Sequence, residues 1–65
     1  MNIQIGSYVR YYFLHEANGL IYKDGIIIDI FKRGIDEYKI LFYIDESIGL
    51  FTLAQIEEEF EVISA

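Results

Sequence analysis

Tyr38-Lys39-Ile40-Leu41-Phe42-Tyr43-Ile44 is the stretch that decides the fold class. Taking every second residue separates Tyr38, Ile40, Phe42 and Ile44 from Lys39, Leu41 and Tyr43. A period of two is that of a β-strand, whose side chains point alternately to the two faces of a sheet. The residue types agree, because aromatic and branched side chains suit a pleated, half-buried surface. The second set still carries large apolar bodies, so neither face of this strand reads as fully polar.

Working outward, glycines at 6, 19, 25, 34 and 49 divide the chain into segments of strand length, and proline is absent. Residues 8–14, 20–22, 26–31, 50–53 and 60–63 share the branched and aromatic character of 38–44 and are expected to be strands. In the first of them Val9, Tyr11 and Phe13 oppose Tyr8, Arg10 and Tyr12; in the third, Ile26, Ile28 and Ile30 oppose Ile27, Asp29 and Phe31. Asn18-Gly19 predicts a two-residue hairpin turn, in which both central positions take positive φ. Lys23-Asp24-Gly25 and Arg33-Gly34 are weaker turn signals. One segment reads helical: Thr52-Leu53-Ala54-Gln55 has the hydroxyl-to-amide spacing of a capping box, and Ile56 follows on the apolar side. A single helical turn is expected from Leu53 to about Glu58, too short to persist without packing.

With 65 residues the chain is expected to form one domain spanning 1–65, and a chain of this size buries only roughly 60% of the surface its unfolded form exposes. Such domains are usually stapled by a disulfide, a metal or a partner subunit. There is no cysteine and a single histidine, His15, which leaves dense packing or oligomerisation. Both are compatible with a chain in which 54% of residues are hydrophobic, 17% are aromatic and thirteen are isoleucine. The lack of cysteine fits a reducing, cytoplasmic setting. No basic stretch precedes an apolar run at the N-terminus and no run approaches a membrane span, so neither a signal peptide nor a membrane partner is expected. Abundant Ile, Tyr, Phe, Lys and Asn with little Pro or Trp fits AT-rich coding, pointing to a bacterium or its phages.

Charge is lopsided. In residues 1–35, Arg10, Lys23, Lys32 and Arg33 outnumber Glu16, Asp24 and Asp29 by one. In residues 36–65, Lys39 stands alone against Asp36, Glu37, Asp45, Glu46, Glu57, Glu58, Glu59 and Glu61, and the whole chain carries a formal −6. A partner gripped by its phosphates is disfavoured, since counterion release requires clustered Lys and Arg.

Gly6-Ser7-Tyr8-Val9-Arg10, a long hairpin, Gly25-Ile26-Ile27-Ile28-Asp29-Ile30, Tyr38-Lys39-Ile40-Leu41-Phe42, then Phe51-Thr52-Leu53 with a short turn through Ile56-Glu57 and a last strand, together resemble the small SH3-like barrels. That superfold includes Tudor, KOW and plasmid-borne dihydrofolate reductase domains. The resemblance implies an all-β, five-stranded SH3-like barrel with one short helical turn before the last strand. It rests on glycines and hydrophobics and concerns architecture. The segment Ile48 to Glu57 is similar to the closing segment of the plasmid-borne dihydrofolate reductases. Gly49 stands where that family has its glutamine and Phe51 where it has its tyrosine, so their activity does not follow.

No catalytic constellation emerges. Nucleophilic chemistry needs Cys, or a hydroxyl or amine with a positioned base, and His15 neighbours no nucleophile in sequence. Neither Asp45-Glu46 nor Glu57-Glu58-Glu59 has the alternating ligands and central glycine of a calcium loop. No cofactor, no metal and no enzymatic activity are therefore expected. Nucleic-acid binding would need a basic stripe with interleaved aromatics, which Arg10, Lys23, Lys32 and Arg33 do not supply. Tyr11, Tyr12, Tyr22 and Tyr43 could cage a methylated cation, or fill the core and oligomer contacts.

Two functions remain. The first is a non-enzymatic interaction module docking a protein partner or itself, as a homo-oligomer, through surplus apolar groups on the outer face: Tyr12, Ile27, Phe31, Leu41 and Tyr43. The second is a small acidic phage or mobile-element inhibitor in which the eight carboxylates from Asp36 to Glu61 mimic nucleic acid and block a host or defence protein. Acidity that merely keeps an apolar protein soluble is the alternative to mimicry.

Overall fold

A computed structural model describes residues 3–64. Five strands, β1 (Tyr8–His15), β2 (Gly19–Arg33), β3 (Ile35–Phe42), β4 (Ile48–Thr52) and β5 (Phe60–Ser64), form one antiparallel sheet, with a helix α1 (Leu53–Glu59) between β4 and β5. The strand order is β4-β3-β2-β1-β5. The first four strands thus make a meander, and α1 carries the chain across to pair β5 with β1. No helix among the described residues is long and apolar enough to cross a membrane.

The sheet is curled. Four strand spacings of about 4.8 Å would separate the edges of a flat five-stranded sheet by roughly 19 Å. Yet the rings of Phe51 on β4 and Phe60 on β5 meet edge to face, with centroids 5.0 Å apart. Tyr11 and Phe42 from the interior strands complete the cluster, Tyr11 stacking on Phe60 at 4.7 Å. Around these rings Val9, Ile27, Tyr38 and Ile40 from the concave face and Ile56 from α1 close the core. This is a small barrel-like arrangement in which every strand contributes inward residues.

The alternation holds along β1 and β3. Val9 and Tyr11 face inward with Tyr38, Ile40 and Phe42, but β3 ends at Phe42, and Ile44 lies exposed in the following turn. Along β2 the expectation fails at Ile27. Its register runs Ile27↔Ile40 and then Asp29↔Lys39, so Ile28 is an extra, bulged residue. The bulge reverses the phase: Ile27 and Ile30 both turn inward, while Asp29 and Phe31 stay outside. Ile27 is 1% exposed and belongs to the core, not to the outer face on which alternation had placed it.

Two turns also differ. Lys23-Asp24-Gly25 is no turn; β2 runs through it, and glycine stands at 25 because a Cβ there would come within 2.7 Å of the Leu41 carbonyl oxygen and 2.8 Å of Ile40 Cγ2. Gly25 is a contact point between crossing strands. The first hairpin closes at His15↔Gly19 through three residues rather than two, and only Gly19 takes positive φ, at 73°. Arg33-Gly34 does turn the chain, with Gly34 at φ 90°.

The helix is the one its sequence predicts. Thr52 Oγ1 accepts from the Gln55 amide at 3.3 Å, and Gln55 Oε1 accepts from the Thr52 amide at 2.9 Å. Ile56 is fully buried and docks the helix on the ring cluster.

Thr52→Ala is expected to lower the unfolding free energy by about 0.5–2 kcal/mol, read from urea melts. Gly25→Ala is expected to cost about 1–3 kcal/mol in the same assay, since the methyl can only be admitted by moving β2 away from β3.

Candidate functional site

The convex face is built by register. Tyr8 on β1, Ile26 on β2, Leu41 on β3 and Ile48 on β4 lie side by side, one row crossing four strands. One step toward the first hairpin, Arg10 faces Asp24 and Glu61; beyond them come Tyr12 with Tyr22, then Leu14 with Leu20 at the tip. One row the other way, Asp29, Lys39 and Leu50 align, followed by Phe31, Glu37 and Thr52.

The polar groups of this face are largely committed to one another. Arg10 donates from Nε to Asp24 Oδ1 at 2.8 Å and from Nη2 to Oδ2 at 3.2 Å, and its guanidinium lies 4.3 Å from the Tyr22 ring centroid. The Tyr8 hydroxyl donates to Asp24 Oδ2 at 3.1 Å. The Arg10 bond holds the Asp24 carboxyl below the usual carboxylate range and raises Arg10 in turn. Desolvation, then the bond to Asp24, raises the Tyr8 phenol. The Tyr12 hydroxyl donates to Glu61 Oε1 at 2.9 Å, the first cause of its own raised pKa.

Beside this network the rings of Tyr8 and Tyr43 stack at 5.7 Å. A depression of about 340 Å³ is lined by Tyr8, Tyr22, Lys23, Asp24, Tyr43 and Ile44, and Tyr43 separates it from a second, of about 420 Å³, lined by Leu41, Phe42, Tyr43 and Glu46. Lys23 does not project into solvent. Its Nζ sits 4.2 Å from the Phe42 ring centroid and 3.2 Å from Asp45 Oδ2. The one carboxylate lining the first depression is already bound by a guanidinium and a phenol, so the site offers rings and aliphatic surface rather than an acid–base pair.

Of the residues expected on the outer face, Leu41 and Tyr43 fall together on this patch, and Tyr12 joins its margin through Tyr22, at 6.0 Å between rings. Phe31 is on the same face, two rows from Ile26 on the far side of Asp29, and carries Arg33 5.1 Å from its ring centroid. Ile27 is in the core. Tyr8, Ile26 and Ile48 complete the patch and were not among the candidates. Tyr8 could have been found from its alternation with Arg10 and Tyr12; Ile26 could not, because the bulge hides its phase.

The acidic residues are spread over two strands, a turn and the helix. Asp36 pairs with Lys32 at 3.5 Å and Glu37 sits beside it at the start of β3, whereas Asp45 and Glu46 follow the other end of that strand, about 25 Å away at strand rise. Glu57, Glu58 and Glu59 lie on α1, and Glu61 on β5. Asp45 is structural: its Oδ1 accepts from the Ser47 hydroxyl at 2.6 Å and the Ser47 amide at 3.0 Å, which together with Lys23 hold its pKa down to about 2.

No protein-family model, curated protein or solved structure matches this chain.

Because the folded-state pKa of Asp45 is depressed, the stability it contributes is fully present above the ordinary carboxylate range and is lost as pH falls through about 2. Asp24 acts in the same direction. Urea midpoints are therefore expected to drop on acidification below about pH 4. Asp45→Asn should flatten part of that drop while lowering stability at neutral pH, and an unchanged acid slope would contradict the assignment.

Proposed function

We propose that the protein is a non-enzymatic interaction module that associates with a second copy of itself through the convex patch of Tyr8, Ile26, Leu41, Tyr43 and Ile48, with Tyr12 at its margin. The observation that carries this reading is the uncharged row crossing four strands. Ile48 and Tyr43 remain 55% and 49% exposed although they adjoin Leu41, which is already half-buried. Covering the half of such a side chain that is still exposed stabilises by roughly half of the 1.5–3 kcal/mol for full burial, a large effect beside a core of seven buried hydrophobics among the described residues. A patch that meets itself about a two-fold axis is the commonest way for one chain to gain such burial. The strand order and the single helix before the last strand also support the finer architectural reading, an SH3-like barrel, a fold whose function lies in its surface rather than its frame.

Sedimentation velocity over a dilution series tests the reading. The wild-type chain is expected to associate reversibly, and Tyr43→Glu and Ile48→Glu are expected to shift it to monomer while retaining the native circular dichroism spectrum. Ile35→Glu, at the distant β2–β3 turn, should sediment as wild type. A monomer at every concentration would overturn the proposal.

A further inference from the structure

Of the two edge strands, β4 alone carries an open, uncharged hydrogen-bonding edge. Its phase follows from one bond: the Phe42 amide donates to the Ser47 carbonyl at 2.9 Å, making Phe42 and Ser47 a hydrogen-bonded pair. Antiparallel pairs alternate between bonded and non-bonded, so Gly49 and Phe51 bond to β3, while Ile48, Leu50 and Thr52 point their amides and carbonyls away from the sheet. The capping box confirms this phase independently, because the Thr52 amide is free to bond Gln55 Oε1. With Thr52 occupied, the open donors on this edge are the amides of Ile48 and Leu50.

Charge says what can cover them. Each chain carries −6, so two copies can approach only where carboxylates are not driven together. Strand β4, Ile48-Gly49-Leu50-Phe51-Thr52, has no charged residue, unlike β1, β2, β3 and β5. The other edge, β5, carries Glu61 and follows three consecutive glutamates, so pairing it with itself would bring like charges together. Nor does β4 have a lysine, a proline or a bulge to blunt its edge.

We infer that two copies of this chain pair their β4 strands antiparallel about Gly49, Ile48 of each facing Leu50 of the other. In that register residues with outward groups meet each other, each Ile48–Leu50 pair exchanges both of its N–H···O bonds, and the capping box stays intact. A register centred on Leu50 would instead set Ile48 against Thr52, whose amide is taken. The inference rests on the self-association proposed above, since Ile48 belongs both to the edge and to the convex patch; it adds that backbone pairing, not only side-chain contact, joins the copies.

Amide hydrogen exchange read by NMR, at concentrations above and below the association midpoint found by sedimentation, tests it. The amides of Ile48 and Leu50 are expected to exchange at least about tenfold more slowly in the associated sample, with no such change at Glu61 or Ile63 on β5. Leu50→Lys should abolish both the slowing and the association while keeping the native spectrum. A dimer in which Ile48 and Leu50 exchange as fast as in the diluted chain would overturn edge pairing and leave face-to-face association standing. Protection already complete in the monomer would overturn it too, and a chain monomeric at all concentrations would overturn both proposals. A chain that remains monomeric yet shows this protection on adding an unrelated strand-forming peptide would transfer the edge to a different partner and overturn the inference.

Discussion

Phe51 and Phe60 sit on strands at opposite ends of the sheet order, and the contact of their rings on Tyr11 and Phe42 is what the rest of the molecule depends on. A five-residue edge strand and a five-residue terminal strand have little pairing of their own, so the aromatic cluster supplies the reason for the sheet to curl. Curling has a local condition at Gly25, where β2 passes so close to β3 that no side chain fits. It has a second at Ile28, where the bulge adds twist and bends the longest strand. Helix α1 then spans the gap between the edges, with Ile56 as its anchor.

How far this could be read from residues alone depended on whether the signal was local. The alternations of Val9, Tyr11 and of Tyr38, Ile40, Phe42 are local and gave the inward faces correctly. The Thr52–Gln55 box is local as well, and its helix begins where the spacing predicts. The bulge is not local, because Ile26-Ile27-Ile28 offers three equivalent residues and only the pairing with β3 decides which is extra. For that reason alternation alone places Ile27 on the surface and Ile26 on the opposite face. Gly25 misled differently: glycine marks both turns and close approaches, and the partner backbone that distinguishes them lies sixteen residues away, at Leu41. The patch was thus legible through Leu41 and Tyr43, while its continuity with Tyr8, Ile26 and Ile48 is a property of register.

Electrostatics sort the face into committed and uncommitted parts. Arg10, Asp24 and Tyr8 satisfy one another, and Tyr12 donates to Glu61, so the polar groups of the rows toward the first hairpin are hydrogen-bonded within the chain, with Glu61 keeping its charge. Asp45 serves its own turn and neutralises the nearly enclosed Lys23. The carboxylates of α1 stand outside the rows of the convex face, whereas Glu46 borders the patch at the second depression and Glu37 lies in the Phe31 row.

The capping box links the helix to the edge. In an isolated helix, the Gln55 side chain bonding back to the Thr52 amide would serve only to satisfy a terminal donor. Here that amide is also the last outward donor of β4, so the same bond that starts α1 closes the strand edge at its far end. At the near end the edge stops with the turn before Ile48, where Glu46 takes φ 57°. Between these two closures lie Ile48, Gly49 and Leu50, a length of edge that two copies can match about a single axis and that a longer strand of another protein could not follow past Thr52. In the proposed pairing, a short edge bounded in this way would restrict the registers open to a second copy, unlike the uncontrolled pairing that long open strands invite.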